Sequence, residues 1–193
     1  MKFIPLTLAI LLLFVSSYAG ESSDRLIVLF DRVAMLNIDR NGYVLGKALT
    51  DIQKNTARLN PVEIDNPHLF KFKDNDLYIV AEKATDRVVI MYMQHEKATR
   101  KKIKEIAGNL FLDFGEPTVF SHDKIIYWAW GENGIFSNDA FKTAKDNQTP
   151  LHILATVKLN SSLEIMGVKD DNTLGRVYYI VSSNPILKLI QSQ

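Results

Sequence analysis

Four histidines carry the most versatile chemistry in this chain, because an imidazole can act near neutral pH as an acid, a base or a metal ligand. They are His68, His95, His122 and His152. No two of them share the i, i+4 spacing of a helical zinc site, and His95-Glu96 lacks the second histidine of that motif. The spacing favours surface or strand-edge histidines and predicts no metal site, unless the fold brings distant residues together.

Two acidic segments, at 74–76 and 170–172, invite comparison with calcium-binding loops. The second segment places Gly175 sixth, as such a loop requires, but positions 5 and 12 are Leu174 and Val181. Neither side chain offers an oxygen ligand to calcium. Because Asp and Asn are favoured in tight turns without any metal, both segments are predicted to be structural turns.

Motifs for covalent or phosphate chemistry are missing from the sequence. There is no Gly-x-Ser-x-Gly elbow, Walker loop or dinucleotide-binding glycine pattern. The chain has no cysteine, which excludes disulfides, thiolate metal sites and a cysteine nucleophile. The sequence therefore predicts no catalytic residue and no cofactor, and it leans towards a non-enzymatic protein. A hydrolase that uses scattered carboxylates or histidines is one alternative.

The charges nearly cancel, with 23 basic and 22 acidic side chains, so no long-range field gathers nucleic acid. Nucleic acid is therefore not an expected partner. One local cluster stands out, and its five cations are Lys97, Arg100, Lys101, Lys102 and Lys104. This cluster is typical of a solvated helix face, and the alternative is docking on anionic lipid or on an acidic partner.

Aromatic side chains provide the main candidate binding site. Its predicted members are Tyr92, Tyr127, Trp128, Trp130 and Tyr178. The runs at 88–93 and 125–130 are apolar throughout, whereas a sheet with one solvated face should alternate. We therefore expect both sheet faces to be covered, one by helices and the other by the second half of the chain, a partner or a ligand. Complete burial inside the domain is favoured, and an aromatic groove or interface is the alternative.

Apolar periodicity and turn residues predict the elements that position these side chains. Extended runs at 69–72, 77–81 and 87–93, separated by turns, predict an antiparallel meander. Apolar residues at every third or fourth position predict a helix over about 97–114, which Gly115 ends.

Weaker signals predict the remaining elements. Asp24 offers a helix cap, but the β-branched residues that follow favour a strand near 26–30. A C-terminal helix is predicted with Asn184 as its cap and Pro185 in its first turn. The others are a helix at about 46–58, a helical turn near 139–142, and strands at 118–120, 124–130, 152–157, 163–166 and 177–181.

This order of elements predicts an α+β fold with an antiparallel sheet and helices packed on one face. Two tandem halves, at about 40–95 and 96–182, are an alternative organisation of the same domain. Over residues 40–182 the element order resembles the outer-membrane assembly lipoproteins and the β-lactamase-inhibitor proteins, which lay helices on one sheet face. The lipoprotein cysteine is missing here, and the resemblance implies a fold without implying any site residue.

The N-terminus has the features of an export segment. Lys2 precedes an apolar run at 3–15, and the small residues Ser17 and Ala19 stand at −3 and −1 of a cleavage site. The sequence therefore predicts a signal peptide at 1–19. Its apolar run is short for a bilayer span of roughly 20 residues. Anchoring in the membrane by an uncleaved segment is the alternative.

Residues 20–193 are then expected to form a single exported domain, periplasmic or secreted, with no stable membrane span after cleavage. The absence of cysteine favours bacterial export. The favoured function is binding of another cell-envelope protein, through an aromatic sheet face or through the 131–149 loop. Carriage of a small apolar ligand or a lipid is the alternative outside enzymes.

Overall fold

The computed structural model describes residues 24–167 and 170–192 of the chain, so the predicted signal peptide at 1–19 lies outside the described residues. The described residues form the predicted α+β fold. Its helices are α1 (24–35), α2 (Asp51–Leu59), α3 (Arg100–Phe114), α4 (Asn138–Asp146) and α5 (Asn184–Gln191). Its strands are β1 (Asp39–Arg40), β2 (Tyr43–Val44), β3 (Pro61–Val62), β4 (Leu69–Asp74), β5 (Leu77–Glu82), β6 (Val88–Thr99), β7 (Val119–Ser121), β8 (Ile125–Gly131), β9 (Gly134–Ile135), β10 (Ala155–Ser161) and β11 (Leu174–Ser182).

Nine of these strands form one antiparallel sheet in the order β3-β4-β5-β6-β11-β10-β8-β7, with β9 beside β8. The predicted meander is confirmed as β4-β5-β6. Its two turns contain Asn75 and Asp86, both at positive φ, a conformation that Asn and Asp tolerate better than most residues. The β1–β2 hairpin turns at Asn41 and Gly42, which also have positive φ.

The sheet order is mirrored about its centre. Strands β3 to β6 run inwards from one edge, and β7, β8, β10 and β11 run inwards from the other, so that β6 and β11 meet. Two tandem halves would give such an order, but so would a single domain built without duplication. The two halves therefore stay a prediction.

The predicted strand near 26–30 is wrong, because these residues belong to helix α1. Leu26, Phe30 and Val33 recur at helical spacing and are buried, while Ile27 and Val28 face solvent. Gly46 approaches this helix closely: a β-carbon there would lie 2.7 Å from the Phe30 carbonyl oxygen. Tertiary contacts with residues distant in the sequence therefore outweighed the β-propensity of these residues.

Other boundaries moved for local reasons. Helix α2 begins at Asp51 because Thr50 and Gln53 form a capping box, and buried Leu45 and Leu49 lie in the loop before it. Helix α5 has Ser183 as its cap instead of Asn184: the Ser183 hydroxyl accepts from the Ile186 N–H at 3.4 Å.

Two predicted strands also changed. The segment 163–166 is not a strand, although Ile165 within it is buried. The strand predicted at 152–157 begins at Ala155 and continues to Ser161. An irregular segment can bury one side chain without hydrogen-bonding to a neighbouring strand. An apolar run of four residues therefore did not distinguish a strand from an irregular segment.

Strand register sorts the sheet side chains into two faces, because antiparallel partners project to the same side. One face carries Phe70 and Trp128, where α2 lies beside β4 and Phe111 of α3 contacts the Trp128 ring. We call it the helix face, and the opposite side the open face. Within the described residues, no helix combines the length and the apolarity needed to cross a bilayer.

Candidate functional site

The five predicted aromatic residues lie on two different faces of the sheet. Trp128 and Trp130 belong to the helix face and are 0% and 6% exposed. The Trp128 indole packs edge-on against Phe111 and Phe114, with ring centroids 5.6 and 6.0 Å apart. Its Nε1–H donates to the Gly115 carbonyl at 3.0 Å, so its polar atom is satisfied inside the domain. Both tryptophans are therefore core residues.

The three predicted tyrosines lie on the open face. Tyr92 and Tyr127 are half-buried, and Tyr178 is 39% exposed. The expectation that the second half of the chain covers this face is wrong, because the two halves lie side by side in one sheet. The side chains of this face range from half-buried ones such as Tyr92 and Tyr127 to buried ones such as Val80, which is 3% exposed.

Tyr92 and Tyr127 belong to a line of directly registered side chains that crosses seven strands. We call this line the transverse row. Its members, from β4 to β7, are Lys73, Tyr78, Tyr92, Ile180, Lys158, Tyr127 and Val119. Every member is half-buried. Six strand spacings of ~4.8 Å make the row about 29 Å long, which suits contact with another macromolecule.

Packing within the row orders its aromatic end. The rings of Tyr78 and Tyr92 stack with centroids 4.8 Å apart and planes within 9° of parallel. The Lys73 ammonium lies 5.2 Å from the Tyr78 ring centroid, within the range of a cation–π contact. These contacts hold three neighbouring side chains in one arrangement before any partner binds, which lowers the entropy cost of binding.

The open face carries three lysines. Lys71 and Lys73 lie together on β4, and Lys158 lies four strands away on β10, so positive charge is present at two places on the face. The lines of registered residues that contain these lysines include no carboxylate, and Glu82 lies beyond them at the end of β5. The Glu82 carboxylate accepts hydrogen bonds from the N–H groups of Ala84 and Thr85, both at 2.8 Å, and is engaged in the turn.

Burial raises the pKa of Tyr127 above its ordinary value. Burial also raises the pKa of Tyr92, and the neighbouring Tyr78 raises it further. Both phenols therefore keep their protons throughout the neutral range and present hydroxyl groups that can donate hydrogen bonds. The row thus combines apolar ring surface, neutral donors and ammonium groups.

Sequence reasoning missed the lysines and Ile180 in this row. Strand period 2 could have found Lys158, which lies between buried Val157 and Leu159, whereas Lys73 has a buried neighbour only in Phe72. Their alignment across the sheet depends on register, and no local signal in the sequence reveals the register between distant strands.

The other candidate groups do not assemble into a site of chemistry. His95 lies on β6 and the other three histidines lie in separate turns or loops. The described residues contain no cluster of three His, Asp or Glu side chains that could hold a metal. The cationic segment is only partly a solvated face: Arg100 is 4% exposed and donates to the Glu164 carbonyl at 2.9 Å, while Lys104 pairs with Asp171.

The 131–149 loop, the second predicted binding element, contains β9 and helix α4. A cavity of about 550 Å³ lies beside it, lined by Arg32, Phe136 and His152 among others. No residue of α4 is buried, and Glu132 at the start of the loop pairs with Arg32 of α1. The loop therefore presents exposed polar surface, without the aligned aromatic rings of the open face.

Comparison with known proteins found no matching family model, no matching curated protein and no matching solved structure. The resemblance in element order to the assembly lipoproteins and inhibitor proteins gains no support from these comparisons.

Proposed function

We propose that this protein is an exported, non-enzymatic binding module whose open face binds an acidic segment of another cell-envelope protein. The observation that carries the proposal is the transverse row, in which stacked tyrosines and lysines form one ordered line across the sheet. Export is supported by the features of residues 1–19 in the sequence.

The composition of the row favours a protein partner. Tyrosine combines a large apolar ring with a polar tip, and it is enriched where protein interfaces exclude water. Ile180 lies at the centre of the row and adds apolar surface between Tyr92 and Lys158. The row itself contains no imidazole or carboxylate that could act as a general base, which favours recognition over catalysis.

The charge of the open face favours an acidic partner. Lys71, Lys73 and Lys158 supply positive charge to the open face. The Glu82 carboxylate is engaged in a turn, and the Glu96 carboxylate accepts from the Gln94 amide. Complementary charge accelerates encounter and selects between partners more than it raises affinity. A segment with carboxylates beside apolar side chains would match both components of the row.

The proposal can be tested with fluorescently labelled poly-L-glutamate, a defined acidic polypeptide, by measuring its anisotropy with the exported domain at low salt. The test variant is the double change Lys73→Glu with Lys158→Glu. We expect at least a roughly 10-fold loss of binding, because both reversals place repulsive charge on the row. The matched control is Lys142→Glu with Lys145→Glu, which makes the same charge change on exposed α4.

The control should retain binding to within about 2-fold, since it changes net charge without changing the row. Equal losses in the two double variants would show that only net charge matters and would refute the site. A single-stranded DNA probe that binds the row more tightly than polyglutamate would also refute the proposal and assign the row to nucleic acid.

A further inference from the structure

A separate cavity of about 210 Å³ lies on the helix face, between α3 and the β1–β2 turn. Its polar lining differs from that of the open face. The polar side chains that line it are Arg40, Asp76, His95, Lys102, Asn109 and Tyr179. Because it lies on the other side of the sheet from the transverse row, an inference about it does not rest on the proposed function.

Arg40 is held rigidly at this cavity. Its guanidinium lies between two aromatic rings, with its central carbon 4.7 Å from the Phe114 centroid and 5.4 Å from the Tyr179 centroid. Its Nη1 group pairs with Asp113, and only 13% of the side chain is exposed. When a guanidinium is fixed between two aromatic rings, its remaining N–H groups have fixed directions in the guanidinium plane.

Those remaining groups lack partners inside the protein. The Nε and Nη2 atoms of Arg40 are buried without a hydrogen bond, and so is Nε2 of His95. Among the described residues, the other such atom is Nε of Arg100, which is not in this cavity's lining. Buried polar groups are nearly always paired, so a concentration of unpaired nitrogens at one cavity indicates a missing acceptor.

The geometry of the free atoms specifies the acceptor. Nε and Nη2 form one edge of the guanidinium, and this edge binds two oxygens of a carboxylate or phosphate in parallel. His95 Nε2 donates when it carries the imidazole proton. Lys102 also lines the cavity, and its ammonium lies 3.6 Å from the Glu105 carboxylate. Asp76 is the one carboxylate in the lining, so nitrogen donors outnumber it.

We propose that this cavity binds a compact oxyanion, either inorganic phosphate or a small phosphate ester or carboxylate, through Arg40 and His95. The cavity has room for about seven water molecules at ~30 Å³ each, which admits one oxyanion with a short substituent. Typical pockets for drug-sized ligands begin at roughly 300 Å³, so larger ligands do not fit.

The test is calorimetric titration of the whole exported domain with inorganic phosphate, phosphoserine and acetate, each at constant ionic strength. We expect saturable binding of one oxyanion per chain by at least one of these probes, and the three titrations distinguish free phosphate, ester and carboxylate as the source. Nitrogen NMR of the imidazoles should show the His95 Nε2 resonance shifting with the same dissociation constant.

Arg40→Gln should weaken this binding at least 10-fold, and His95→Gln should weaken it by a smaller factor. Arg32→Gln is the matched control, because Arg32 makes an exposed ion pair with Glu132 and is not among the residues that line the cavity. If Arg40→Gln prevents folding, His95→Gln and the wild-type NMR titration still test whether the cavity binds an oxyanion. No saturation below 10 mM of any probe, or binding that both cavity variants retain, would overturn the proposal.

Discussion

Two adjacent lines of side chains cross the same strands and have opposite characters. The transverse row is one, and the second, which we call the core row, lies on the helix face. Its members are Phe72, Ile79, Met91, Val181, Val157 and Trp128. Each is 0% exposed and is the sequence neighbour of a half-buried member of the transverse row. A shift of one residue along each strand thus separates side chains that stabilise the fold from those available for binding.

The largest expected effect separates two neighbours on β8. Trp128→Ala should reduce the free energy of unfolding by about 3–5 kcal/mol, because it leaves a cavity beneath α3 and removes a hydrogen bond. Tyr127→Ala should cost only about 1 kcal/mol, since that ring is half-buried on the open face. Urea unfolding followed by circular dichroism measures both values. Equal losses would remove the distinction between the two rows.

A smaller effect involves Tyr43, which packs on Phe72 of the core row and donates to the Asp74 carboxylate at 2.9 Å. Burial, followed by this hydrogen bond and the Asp74 charge, raises the pKa of Tyr43. The group therefore contributes stability below its unfolded pKa of about 10, and that contribution is lost as pH rises towards the folded pKa.

Tyr43→Phe should cost about 1–2 kcal/mol at pH 7 and make the loss of stability above pH 10 shallower. Denaturant midpoints measured from pH 7 to pH 11 test both effects. Tyr178→Phe is the control at neutral pH, because it removes an exposed hydroxyl that accepts from Asn160. An alkaline slope that Tyr43→Phe leaves unchanged would contradict the stated cause.

The stacked pair of the transverse row should contribute less to stability than to binding. Tyr92→Leu is expected to cost about 0.5–1.5 kcal/mol, because it removes the stacking on Tyr78 but keeps apolar contact. Polyglutamate binding should fall by several-fold. Met91→Leu on the core row is the control. We expect it to change the free energy of unfolding only slightly and to leave polyglutamate binding unchanged. Loss of binding in the control would place the determinant elsewhere.

The smallest expected effect lies outside both rows. Hydrogen bonding and charge from Lys104 lower the pKa of Asp171. Lys104→Gln should return this pKa towards its ordinary value, measurable by carboxyl NMR, while stability and polyglutamate binding stay unchanged because both groups are in contact with solvent. A clear loss of binding would mean that the cations of α3 belong to the binding surface.

Local signals predicted much of the fold. Strands β4 and β5 and the C-terminal end of helix α3 were predicted to within two residues, since their turns, apolar stripe and terminating Gly115 are encoded nearby. Strand β6 runs to Thr99, six residues beyond its predicted end, and helix α3 therefore begins at Arg100 and not near 97. The prediction of a strand near 26–30 was wrong because it gave more weight to β-branched residues such as Ile27 than to helical spacing. Leu26, Phe30 and Val33 have that spacing and are buried. Burial of that helical stripe in the core makes the helix the stable structure.

The candidate site was predicted only in part. Aromatic composition identified Tyr92, Tyr127 and Tyr178, but it grouped them with the two core tryptophans. Adjacent residues of a strand project to opposite sides, so Tyr127 and Trp128 were always on different faces. Which of the two faces the helices would cover was not encoded in that local alternation.

The sequence by itself determined the α+β class, because turns, alternation and helical stripes act over a few residues. Tertiary structure decided everything that depends on register: the alignment of Lys73, Tyr78 and Lys158 into one row, and the meeting of Arg40 with His95 at one cavity. The physical reason is that strand pairing and helix packing join residues far apart in the chain. Their geometry follows from the burial of the whole core, not from any short segment.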